Sequence, residues 1–300
     1  MIRIGTAGWS YMSGKGKWAG IFYPKGSTDP LPFYARFFDT VEVNSTFYRP
    51  IGADIADSWA RKTPDGFKFA VKLYQKFTHP KMFEEATGEA ADVNAEDFKS
   101  FVKSLKPLAE DEKLGPLLAQ YPPSFRRSQP NMDALKRLSD QLAGYPLVVE
   151  LRHKSWTEDN KTLELLRDHG VSWVHTDEPF ISEAGGTMPI TGPIAYLRFH
   201  GRNAKDWWRG DRDERYNYLY SPKEQAQLAQ RITGLPHVSA DTYVAYNNHF
   251  GGKAVANALE MKLLLGQEIP EEIPKPMLEE FPDLAKLMEK ESVERDSADR

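Results

Sequence analysis

A chain of 300 residues, 40% hydrophobic, 27% charged and carrying a net charge of −4, has the make-up of a globular protein with room for one large α/β domain or two smaller ones. It holds no cysteine, which excludes disulfides, thiolate catalysis, Cys-ligated zinc and iron–sulfur clusters. No apolar run is long enough to span a bilayer and no apolar signal core follows Met1, so a cytoplasmic location without membrane partners is expected.

Eight strand-like runs follow one another: Ile2–Ala7, Thr40–Thr46, Phe67–Leu73, Leu114–Gln120, Leu147–Arg152, Val171–Asp177, Ile194–His200 and Thr242–Asn247. Between them, apolar residues at three- and four-residue spacing predict helices over Leu31–Phe38, Ile55–Lys62, Glu96–Leu108, Met132–Leu142, Asn160–His169, Lys223–Ile232 and Ala254–Leu265. Asn131 and Ser221-Pro222 read as start signals for the helices Met132–Leu142 and Lys223–Ile232. Tyr74–Ala95 is a long insertion after the third strand, with a short helix expected near Lys81–Glu85, and no helix is expected between Asp177 and Pro193. Eight βα units in this length predict a single-domain TIM-type (β/α)8 barrel over residues 1–268. An acid-rich tail at 269–300 is expected to be partly helical or disordered. Its acids leave the rest of the chain close to neutral, which argues against general nucleic-acid binding.

The ends of these strands carry the chemistry. Val148-Val149-Glu150-Leu151-Arg152-His153 and Tyr196-Leu197-Arg198-Phe199-His200-Gly201-Arg202 begin apolar and finish in alternating charges. An unpaired ion facing a buried lumen is costly, so such residues point to function, and barrels place their active sites at the C-terminal strand ends. Alternation gives an inward set of Glu42, Asn44, Lys68, Lys72, Gln120, Glu150, Arg152, His175, Asp177, Arg198, His200 and Asn247, with His249 and His153 nearby. Arg198, Arg202 and the turn Gly251-Gly252 before the last helix are expected to hold an anion on backbone N–H groups. Trp9, Trp18, Trp156, Trp207 and Trp208 follow strands one, five and seven, a placement that suits stacking on sugar rings or bases, with Trp18 and Trp156 equally suited to pinning long loops to the rim. No cofactor is expected. A divalent metal on Glu42, Glu150, Asp177 and His200 is the weaker alternative, because Lys72, Arg152 and Arg198 share the lumen and no HxH or HExxH spacing occurs.

These motifs, together with Gly5-Thr6-Ala7-Gly8-Trp9-Ser10-Tyr11, Phe22-Tyr23-Pro24, Val41-Glu42-Val43-Asn44-Ser45-Thr46-Phe47-Tyr48, Gln120-Tyr121-Pro122-Pro123-Ser124-Phe125, Lys154-Ser155-Trp156 and Asn247-Asn248-His249, resemble the YecE-like family, domain of unknown function 72. The resemblance runs to about Leu265 and implies a TIM-type barrel. It brings no established activity and no assigned catalytic residues.

Three functional readings stay open. The first is an enzyme acting on a phosphorylated or otherwise anionic ligand (a phosphoester, nucleotide or sugar phosphate). In it Glu150 or Glu42 is the general base and His200 the acid or electrostatic stabiliser, while Asn44, Lys72, Gln120, Arg152, His153, Asp177, Arg198, Arg202, Trp9, Trp207, Asn247, His249, Gly251 and Gly252 bind the ligand. The second is a non-catalytic nucleotide or oligonucleotide binder. The third is a glycosidase-like hydrolase, disfavoured because strands four and seven end in Gln120 and in Arg198 and His200 rather than in acids.

Overall fold

The computed structural model describes residues 1–158, 160–179, 189–207, 214–235 and 241–298, with side chains to residue 290. Its eight strands are β1 (Ile2–Thr6), β2 (Thr40–Val43), β3 (Lys68–Lys72), β4 (Leu114–Gln120), β5 (Leu147–Glu150), β6 (Ser172–Asp177), β7 (Ile194–Phe199) and β8 (Asp241–Tyr246). Each pairs in parallel with its sequence neighbour from β2 to β8, and β8 returns to pair with β1. Helices cover the outside, so the expected (β/α)8 barrel is the fold.

The pleat sorts each strand into two faces. Ala70, Leu118, Val148, Val174, Tyr196, Tyr243 and Ala245 meet in a small inner core. Their alternates Val41, Val43, Phe69, Val71, Leu117, Val149, Leu197, Phe199 and Val244 join the larger core beneath the helices. Each such side chain contributes ~1.5–3 kcal/mol when fully buried, and the polar strand ends are left at one mouth of the barrel.

The seam between β1 and β2 closes differently from the others. A single bridge pairs Ala7 with Glu42, and the Gly8 N–H donates to the Glu42 carbonyl at 2.8 Å. Below it the Tyr34 hydroxyl accepts from the Thr6 N–H at 2.9 Å and donates to the Thr40 carbonyl at 3.1 Å. That approach requires glycine at position 5, where a Cβ would stand 2.1 Å from the Thr40 carbonyl oxygen.

Helix boundaries follow their caps. Ser221 and Glu224 form a reciprocal capping box on Pro222–Thr233. The helix expected to start at Asn131 runs over Gln129–Gln141 and is capped by Ser128. Pro130 sits in its first turn, where its missing N–H costs nothing, and Asn131 donates its side-chain amide to the Arg126 carbonyl instead. The expected Glu96–Leu108 helix is two, Ala95–Ser104 and Lys106–Glu110, broken where Pro107 has no N–H for the ladder. The insertion after β3 folds as Gln75–Thr78 and Pro80–Thr87. Residues 180–188, part of the stretch expected to lack a helix, lie outside the described residues. Beyond residue 268 the chain forms helices Lys275–Glu280 and Pro282–Ala298, with Met277, Phe281 and Leu284 buried in the main core. Among the described residues no helix is long and apolar enough to cross a membrane.

Gly5→Ala should lower stability by about 1–3 kcal/mol, because the added methyl meets backbone rather than a movable side chain. Equilibrium urea unfolding measures the loss, and an unchanged midpoint would contradict the close approach at this seam.

Candidate functional site

At the C-terminal mouth, Arg198 of β7 reaches across the lumen and is 2% exposed. Its Nε and Nη2 donate to the two oxygens of Glu42, at 2.8 and 2.6 Å, and its Nη1 donates to Glu150 Oε2. The Tyr196 hydroxyl donates to Glu42 Oε2 at 2.9 Å, and Arg152 Nε donates to Glu150 Oε1. All four carboxylate oxygens therefore accept from fixed donors, three of the bonds coming from one guanidinium. Burial works against the charge on Glu150, but Arg152 and Arg198 outweigh it and hold the carboxyl well below its ordinary range. Glu42 and Glu150 are thus built as anchors for two arginines, an arrangement unlike that of the expected base, whose oxygen must be free to take a proton.

His200 lies beneath the mouth, fully buried. Its Nδ1 is 2.9 Å from the Asn247 side-chain amide and its Nε2 is 3.8 Å from Glu150 Oε2. Burial, with Arg198 nearby, lowers its pKa to about 4. The ring is neutral near pH 7. With the Asn247 amide as donor to Nδ1, the proton sits on Nε2 and faces Glu150.

Above this network opens a cavity of about 450 Å³ lined by Asn44, Phe47, Lys72, His79, Gln120, Arg152, Arg215, Tyr216, Asn247 and His249, among others. Lys72 Nζ donates to Gln120 Oε1 at 2.7 Å and stands 4.1 Å from the centre of the Phe47 ring. Burial, then Arg198 and Arg152, lower its pKa to about 7. The Asn44 Oδ1 is buried and has no hydrogen-bond partner among the described residues. Tyr11 stacks on His249 with ring centres 4.6 Å apart, and Tyr216 closes the same side.

Of the residues expected here, Asn44, Lys72, Gln120, Arg152, Arg198, Asn247 and His249 line this cavity. Glu42, Glu150 and His200 form its floor, and Trp207, buried, meets His200 edge-on at 6.4 Å.

Others stand elsewhere. Asp177 pairs in register with Phe199, an outward residue, whereas Thr176 pairs with Arg198. His175 and Asp177 therefore face the helices, opposite to the expected alternation. Asp177 there accepts from Arg202 at 2.7 and 2.8 Å and from Tyr220 at 2.9 Å. Arg202 also donates to Glu224 and is committed to this outer cluster. The expected metal set of Glu42, Glu150, Asp177 and His200 is divided between the two faces, and no group of three or more metal-type side chains occurs among the described residues.

The glycine turn is likewise removed from the lumen. Gly251 donates its N–H to the Gly16 carbonyl at 2.8 Å, and Gly252 packs near Ile21, Met277 and Phe281. His153 caps the short helical turn Lys154–Trp156. Trp9 packs edge-on against Trp59 at 5.1 Å, on the helix side of the wall. Trp18 and Trp156 are buried pins, bonded to the carbonyls of His249 and Phe125. Trp208 lies outside the described residues.

Glu178 was not foreseen. It continues the inward set of Val174 and Thr176 by one more step of two. It is buried, its Oε2 has no partner among the described residues, and burial pushes its pKa up to about 7 although Arg152 opposes this. The correct β6 register would have revealed it. Arg215, Tyr216 and His79 come from loops whose course carries no period, so nothing in the sequence placed them here.

A family model described as "Protein of unknown function DUF72" matches residues 3–280. The chain belongs to the DUF72 family. The UPF0759 protein YunF of Bacillus subtilis (strain 168) is 32% identical over 284 residues, covering 89% of this chain and 96% of that protein. The UPF0759 protein YecE of Escherichia coli O157:H7 is 30% identical over 182 residues, covering 59% of each. A DUF72 family crystal structure from Thermotoga maritima MSB8 superposes with a TM-score of 0.74 at 36% identity, covering 89% of this chain and all of the other. One from Enterococcus faecalis V583 gives 0.77 at 28% identity, covering 89% and 96%. The resemblance noted in the sequence is thus to the family the chain belongs to, and the barrel is shared with DUF72 crystal structures.

Arg198→Met would strand two buried carboxylates and should cost about 3–5 kcal/mol, read by chemical denaturation. A loss under 1 kcal/mol would mean that Arg198 does not carry the floor. Glu178 supplies a pH test. Its folded pKa lies above the ordinary value of 4.5, so the folded state holds the proton more tightly, and the associated stability is full below about pH 4.5 and lost as pH rises through 7. Glu178→Gln cannot ionise. Its stability relative to the parent should climb by roughly 3 kcal/mol between pH 4.5 and 7 and then level off. A flat difference across that window would contradict the raised pKa.

Proposed function

We propose that the barrel mouth is the active site of an enzyme for a phosphorylated or otherwise anionic small ligand, held by Arg152 and Arg215. One observation carries this. Both inward acids of the floor, Glu42 and Glu150, are consumed by Arg198 and Arg152, while the cavity wall above them presents Lys72, Arg152 and Arg215. A cavity with such an excess of cations attracts an anion, and its enclosed walls strengthen the attraction. Arg152 is fixed through its Nε to Glu150, with its Nη2 3.5 Å from His200 Nε2, which preorganises its Nη1 for a ligand oxygen.

Lys72 replaces Glu150 in the role of proton-transfer group, because its amine faces the cavity while every Glu150 oxygen is engaged. Asn44, Gln120, Asn247 and His249 supply polar contacts that orient the ligand. The cavity is in the size range of small-molecule sites. It favours a phosphoester, mononucleotide or sugar phosphate over a nucleic-acid strand. A glycosidase pair of free carboxylates has no counterpart in Glu42 and Glu150.

Titration calorimetry with inorganic phosphate tests the proposal. Arg152→Met should weaken binding at least tenfold, about 1.4 kcal/mol, whereas Arg202→Met, in a folded sample, should leave affinity within twofold. Equal losses in both variants, or no phosphate binding by the parent chain, would refute the site as drawn.

A further inference from the structure

Lys72 has an unusual setting for a lysine. It ends β3, with its amine at the cavity wall between the Gln120 amide oxygen, 2.7 Å away, and the Phe47 ring, 4.1 Å from its centre. Glu42 and Glu150 are its nearest candidates for a counter-ion, yet Arg198 and Arg152 already hold them. No carboxylate stands within ion-pair distance of Lys72 among the described residues. An ammonium placed beside two guanidiniums without a partner of its own is destabilised, and the neutral amine is a nucleophile. His79 meets the Phe47 ring edge-on, with ring centres 4.9 Å apart, and also lines the cavity.

From this geometry we infer that Lys72 forms an imine with a ligand that carries both an aldehyde or ketone and an anionic group. The inference rests on the anion-site proposal, since Arg152 and Arg215 would hold the anionic end and so present the carbonyl to Lys72. The neutral Nζ adds its lone pair to the carbonyl carbon, and the C=O π pair moves to oxygen, which takes a proton. The nitrogen then gives up a proton, the hydroxyl takes a second proton, the nitrogen lone pair forms C=N as the C–O bond breaks and water leaves, and loss of the remaining N–H proton gives the neutral imine. Amine and carbonyl become imine and water, with no change of oxidation state and no co-reactant. Positive charge on the protonated imine would draw electrons from the neighbouring carbon, the use to which catalytic lysines of this kind are put. Near neutrality the lowered pKa of Lys72 gives it on the order of a thousandfold more free amine than an exposed lysine, so its reaction is separable from surface labelling.

The full chain is incubated near pH 7 with dihydroxyacetone phosphate or with pyruvate, with and without sodium borohydride, and examined by intact mass and peptide mapping. One reduced adduct per chain is expected, on Lys72 and at least tenfold faster than on any exposed lysine. It should require borohydride, be slowed by excess inorganic phosphate, and disappear in Lys72→Arg, whose fold is checked by circular dichroism. The peptide map of the parent chain is decisive even where that variant does not fold. Labelling spread over exposed lysines with Lys72 unmodified overturns the inference. If phosphate binding still depends on Arg152 in the same preparation, the imine alone has failed and the anion site stands. If that dependence is also missing, both have failed.

Discussion

One guanidinium organises the mouth of this barrel. Arg198 holds two carboxylates from β2 and β5, and Glu150 in turn holds Arg152. Taking four ions out of water is expensive, and only near-complete pairing makes it tolerable. Here every carboxylate oxygen has a donor. A buried ion set contributes little net stability over apolar residues of similar volume, so its presence is better explained by what it positions. It fixes a cation pattern in a wall that could not otherwise keep one.

The same pairing decides which groups are left for chemistry. Carboxylates that look catalytic in the sequence are satisfied, and a lysine that looks like a binding group lacks a counter-ion. The amine of Lys72 is therefore left accessible at the cavity wall, whereas the oxygens of Glu42 and Glu150 are not. Glu178 adds a carboxyl that burial keeps near its titration point. Lysine and glutamate so placed can each take up or release a proton near neutrality, a pattern that clusters at functional sites.

Much of the fold was legible because period two is hard to counterfeit. Val41 and Val43 outward, with Glu42 and Asn44 inward, could be read directly, as could Leu197 and Phe199 against Arg198 and His200. The reading failed in β6, where Trp173, Val174, His175 and Thr176 offer no clean alternation. Polarity then sent His175 and Asp177 to the wrong face and hid Glu178. Gly251-Gly252 failed for another reason. A glycine pair before a helix has the same appearance whether its N–H groups meet a ligand or, as here, the carbonyls of Gly16 and His249. Tryptophans after strands likewise cannot be sorted into stacking surfaces and loop pins without knowing what their indole N–H reaches. Saturation of Glu42 and Glu150 was invisible for a similar reason, since adjacency on a lumen gives neighbours but not bond counts.

Glu42 also belongs to two structures at once. Its backbone makes the bridge to Ala7 that joins β2 to β1, and its side chain is tied to Arg198 on the far wall. The barrel resembles a bent strip fastened by a clasp, with the Tyr34 hydroxyl and the Ala7–Glu42 bridge as the fastening. A tie from that clasp across the bore acts as a spoke, pulling the loosest joint of the rim inward. Charge pairing at the mouth and closure of the rim therefore pass through one residue.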